Sequence, residues 1–208
     1  MQRLIDPHGT WASPRPQDRP SFTGFLVWRD VAHQVSILYP REWSQEEGPP
    51  LRLRAPADAP HMATMTVEAS RLPTTVEPDD LETLREGLER GIGSIRGAQV
   101  VRSDAESVGS LVDLEVEHTY LADEAEDGAP PVTWRRWLRV MYQRDVQYTL
   151  SAESLDGDAF EYWRPAFHSM MRMAIFADWT AEVTGRSWEP LDVQAVEIGP
   201  GETTDAEG

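Results

Sequence analysis

An α+β fold, with one antiparallel sheet of six to eight strands covered by two main helices, follows from three features of the sequence. Period-two alternation recurs in short segments bounded by turn residues. Two longer segments carry apolar residues at helical spacing instead. The order is four strand-like segments, a helix, four more strand-like segments and a second helix. Consecutive strands joined by short turns pair antiparallel, and two amphipathic helices must cover the sheet they make. No internal repeat is visible, which argues against a solenoid.

The elements follow in order. Residues 1–20 read as an extended arm, with prolines at 7, 14, 16 and 20 and no periodicity. Phe22 to Arg29 is rich in aromatic and β-branched residues. Val35 to Tyr39 alternates and is stopped by Pro40, with Trp43 folding back just beyond. Leu51–Arg54 and Ala63–Leu72 complete the first set of strands. The first helix starts at Pro78-Asp79-Asp80, where proline and carboxylates suit the first turn. Leu81, Leu84, Leu88, Ile92 and Ile95 form its stripe, and Gly91, Gly93 and Gly97 weaken and end it. Strands are expected over Ala98–Arg102, Val108–Tyr120, Val132–Gln143 and Val146–Glu153, with an exposed acidic loop from Leu121 to Pro131. The second helix runs from about Asp156 to Phe176, with Phe160, Trp163, Phe167, Met170, Met171 and Ala174 as its buried stripe. The domain is expected over residues 21–177, followed by an acidic C-terminal tail over 178–208.

Composition excludes several chemistries. The chain of 208 residues has no cysteine, which removes disulfides, thiolate metal sites and cysteine nucleophiles. All 19 basic residues are arginine, so a Schiff-base lysine and the lysine of a phosphate-binding loop are absent. The net charge is −17, and the last twenty residues hold six acids and no base. Nucleic acid and anionic membranes therefore find no basic footprint, whereas a partner with a basic surface suits this charge. No apolar run reaches the length of a membrane span and no secretory h-region is visible, so a cytoplasmic location is expected.

The layout and the turn Tyr39-Pro40-Arg41-Glu42-Trp43 resemble the PsbP-like superfamily, which includes the DcrB-related bacterial proteins. Tyr162, Trp163 and Phe167 of the second helix resemble the aromatics of that family's last helix, and the likeness covers roughly Ser21 to Ala177. The resemblance implies a PsbP-like sandwich, with Tyr39, Pro40 and Trp43 as its structural corner. It also implies a non-enzymatic role, since relatives act as photosystem subunits, small-GTPase binders, cell-envelope proteins and chaperones for secreted effectors. No shared catalytic residue is carried over.

No cofactor or metal motif is present. None of the histidines at 8, 33, 61, 118 and 168 has a metal-ligand spacing, and Gly109-Ser110 does not form a nucleophile elbow. Within Trp134-Arg135-Arg136-Trp137-Leu138-Arg139, alternation puts Arg135, Trp137 and Arg139 on one face. A hairpin centred near Glu126 sets Glu117 against Arg135 and Asp113 against Arg139. This face reads either as a structural charge ladder or as a partner-binding patch. Trp179 and Trp188 are further candidate anchors, and the arms could also join two copies of the chain. The expected function is a non-catalytic protein-binding module, an adaptor or chaperone-like partner. The alternatives are a small-ligand or lipid-tail binding domain with a pocket between sheet and helix, and an enzyme of unknown type.

Overall fold

The computed structural model describes residues 19–122 and 131–185. The chain forms β1 (Phe25–Asp30), β2 (Val35–Pro40), β3 (Ser44–Glu46), β4 (Leu51–Arg54), β5 (Ala63–Arg71), α1 (Leu81–Gly93), β6 (Gln99–Val108), β7 (Leu111–Leu121), β8 (Thr133–Gln143), β9 (Val146–Leu155), α2 (Asp158–Arg172), β10 (Ile175–Phe176) and α3 (Ala177–Thr184). Seven strands make one antiparallel sheet in the order β3-β4-β5-β9-β8-β7-β6, and a smaller sheet has the order β1-β2-β10. The expected α+β architecture is the observed one.

The two faces of the large sheet have different covers. On one, α2 and the small sheet enclose the main core, where Phe160, Trp163, Phe167, Met170 and Met171 meet Leu53, Met65, Leu150 and Met141. On the other, α1 packs Leu81, Leu84 and Leu88 into a smaller cluster with Val112, Leu114 and Val140. A capping box starts the α1 segment, with the Glu77 N–H donating to Asp80 Oδ2 at 2.9 Å. Tyr39, Pro40 and Trp43 form the corner at the end of β2. The Trp43 N–H donates to the Pro40 carbonyl at 3.0 Å, and the Trp43 ring stands edge-on to Trp163 with centroids 5.2 Å apart.

Several boundaries differ from expectation. β6 runs through to Val108 and turns at Gly109-Ser110, so Val108 ends a strand instead of starting one. The sequence hides this because β6 is an exposed edge strand without the alternation that burial imposes. β3 and β10 are only 3 and 2 residues long, too short to show a period. The second helix ends at Arg172, and α3 crosses the boundary placed at residue 177. Most of the N-terminal arm, the acidic loop over 123–130, Trp188 and the remainder of the acidic tail lie outside the described residues.

Candidate functional site: the uncovered half of the large sheet

The strand register assembles this surface. Arg54, Thr64, Glu153, Arg136 and His118 stand side by side in one cross-strand row over β4, β5, β9, β8 and β7. The next row holds Arg52, Thr66, Ser151, Leu138 and Val116. α1 packs beside these rows, with Leu138 at the margin of its cluster; Val116 and His118 at their β7 end are buried, and their β4–β5–β9 members are exposed or half-buried. The polar field ends in an apolar margin where β5 and β8 begin and β9 ends. There Met62 is 68% exposed, Val132 and Leu155 are also exposed, and Trp134 and Tyr120 are half-buried.

Glu153 is the hub of the field. It accepts from Arg136 Nε and Nη2 at 2.8 and 2.7 Å, from the Tyr120 hydroxyl at 3.0 Å and from Thr64 Oγ1 at 3.3 Å. The Arg136 guanidinium also lies over the Tyr120 ring, 4.8 Å from its centroid. Burial and then the Glu153 charge push the Tyr120 hydroxyl up to about 12. His118 is wholly buried behind this cluster, and neither ring nitrogen has a partner. Burial and then the Arg136 cation hold its imidazole down to about 4, hence neutral near pH 7. Three of these donors converge on Glu153 Oε2 and Thr64 reaches Oε1, so the carboxylate is held in a fixed position on the sheet surface. Among the described residues no group of three or more His, Asp or Glu is arranged to hold a metal.

The other face of β8 lies under α2, which corrects the partner-patch reading of Arg135, Trp137 and Arg139. Trp137 is 4% exposed and Arg139 is 9% exposed, so neither can anchor a partner. Arg139 forks onto Asp113 and donates to the Met171 carbonyl of α2. Arg135 pairs with Glu117, Asp156 and Glu161 and lies over the Phe160 ring. α2 returns two arginines of its own, Arg164 onto Glu117 and Arg172 onto Glu115. Burial alone raises the Glu117 carboxyl, but Arg164 and then Arg135 outweigh it and hold it below the usual carboxylate range. The anticipated pairs Glu117–Arg135 and Asp113–Arg139 do form, in a different register. Glu117 is opposite Trp137 and Asp113 opposite Met141, so both ion pairs reach diagonally.

Trp179 is a docking anchor within the chain, its indole N–H donating to the Val108 carbonyl at 3.1 Å. The space between sheet and α2, where a ligand pocket was one expectation, is filled by Trp43, Phe160, Trp163 and Phe167. A groove of about 510 Å³ lies instead beside the small sheet, between Trp28, Pro50, Val67 and the Asp30–His33 pair.

Comparison with solved structures shows that this sheet-and-helix sandwich has the PsbP-like fold. The solution structure of cyanobacterial PsbP from Synechocystis matches 75% of this chain and 94% of that one, with 15% identity and a TM-score of 0.51. The Ran-binding protein Mog1p of Saccharomyces cerevisiae matches over 76% and 97%, with 10% identity and a TM-score of 0.51. LpqN of Mycobacterium tuberculosis, involved in cell envelope biogenesis, matches over 67% and 81%, with 15% identity and a TM-score of 0.49. No family model and no curated protein sequence matches the chain. These likenesses concern the fold, and no described helix is long and apolar enough to cross a membrane.

Proposed function

We propose that this protein is a non-catalytic protein-binding module, an adaptor or chaperone-like partner, that docks another protein on the uncovered half of its large sheet. The supporting observation is the juxtaposition of the Arg136–Glu153 hub with the exposed margin of Met62, Val132, Leu155 and Trp134. Interfaces set aromatic, methionine and arginine anchors within a polar surround in this way. That one protein of the same fold is Ran-binding supports a protein-contact role for the scaffold, without transferring that partner. The net charge of −17 favours a partner with a basic surface, and the cysteine-free composition agrees with a cytoplasmic site of action. The test is affinity capture from the native cell with mass spectrometry, comparing the wild type with Trp134→Ala/Met62→Asp. One specific partner, held by the wild type and lost by a stably folded double variant, is the expected result. A wild type that captures nothing specific, or a variant that retains the partner, overturns the proposal.

A further inference from the structure

β6 closes one end of the large sheet, and among the described residues no strand pairs with its outer edge. It is 10 residues long and exposed at almost every position, an invitation to strand addition that proteins usually blunt. The charges along it are asymmetric. On the α2 side it presents Arg102, Asp104 and Glu106, which lie opposite Glu117, Glu115 and Asp113. Asp104 therefore faces Glu115 and Glu106 faces Asp113, two adjacent like-charge pairs of the kind that weakens a sheet. The inner acids are neutralised, Asp113 by Arg139 and Glu115 by Arg102 and Arg172. The outer acids are not. Among the described residues, Asp104 pairs only with Arg102, 3.5 Å away and shared with Glu115, and Glu106 has no ion pair. A small notch of about 50 Å³ opens between these four carboxylates and Arg172.

We propose that β6 is a docking edge for an extended basic segment of another protein, which adds to the sheet as a further strand. Its main-chain groups bond to the free edge, and its alternate arginine or lysine side chains lie over Asp104 and Glu106. The residues of β6 on the opposite face include Ala105, which packs against the α1 core, so the edge is supported from behind. A second copy of this chain is a poorer occupant, because its own β6 brings two acids and one arginine to the same place. The proposal rests on the protein-binding reading but uses a surface distinct from the Met62–Trp134 margin.

The test uses the full chain and a short synthetic peptide alternating arginine and valine, with binding followed by titration calorimetry. Two control peptides are needed, one with glutamate for arginine and one N-methylated at alternate backbone positions. The wild type is expected to bind the first peptide saturably and neither control. Asp104→Asn/Glu106→Gln, which relieves like-charge repulsion and keeps the acidic tail, is expected to weaken binding by about five- to tenfold. Absence of binding to the wild type overturns the proposal. Equal binding by the double variant does so too, because the charge responsible then lies elsewhere, and retained binding of the N-methylated peptide excludes strand addition. Partner capture that depends on Trp134 can succeed whatever this titration shows, so the two proposals fail separately.

Discussion

Glu117 shows how much of the α2 interface hangs on single charges. It is buried and holds Arg135 of β8 and Arg164 of α2 together. Glu117→Gln leaves two guanidinium groups facing each other, and a loss of about 3 kcal/mol in urea unfolding is expected. Replacing the whole cluster with apolar residues of similar volume costs far less, since desolvation then disappears with the charges. His118 works in the opposite sense. Its folded imidazole titrates at about 4, below the usual value near 6.5. The unfolded chain therefore takes up a proton that the folded chain refuses. Stability is complete above pH 6.5 and falls as the pH drops from there towards 4, with a slope of about 1.4 kcal/mol per pH unit. His118→Leu removes this loss, so its stability relative to the wild type is expected to be higher at pH 5 than at pH 7.5 in matched denaturant curves. The Glu117–Arg135 pair is legible from strand spacing, whereas the surroundings of His118 are not, because Arg136 and Glu153 are brought beside it only by the strand register.

Alternation within β8 was legible from the sequence, but which face was covered was not. Trp134 and Trp137 are three residues apart and fall on opposite faces. Trp137→Ala opens the main core and is expected to cost about 3–5 kcal/mol. Trp134→Ala is expected to cost clearly less stability while weakening partner capture, and thermal melts beside pull-downs separate the two effects. The pairing of acids on β7 with arginines on β8 was likewise legible, whereas the register was not, because long side chains reach diagonally and tolerate a shift. β6 was misread at its end because an edge strand buries neither face, and burial is what writes period two into a sequence. The connection from α1 to β6 makes a sharper demand. Gly97 has φ +66, and a β-carbon there would lie 2.7 Å from Leu121 Cγ. Gly97→Ala is expected to destabilise by about 2 kcal/mol, read as a lower denaturation midpoint.

For the molecule as a whole, the fold was recoverable because local signals agreed. Turn residues, two helical stripes and the Tyr39–Trp43 corner all pointed to one sandwich. The candidate site was not recoverable in the same way, since it is defined by what α1 leaves uncovered, and no local pattern records the length of a helix against the width of a sheet. The acidic surface belongs to this scale as well. If a basic partner is held through β6, raising salt from 50 to 500 mM is expected to weaken binding of the arginine–valine peptide markedly while leaving the fold intact, as circular dichroism would show. The strand order has one more result. β5 has its central partner only in β9, with Ala63 beside Ser154, and β2 is completed only by β10, with Val35 beside Phe176. Both sheets therefore wait for the last quarter of the described chain before they can close. During synthesis, β5 leaves the ribosome well before β9 is made, so Met65 and Val67 have only β4 beside them until β9 follows.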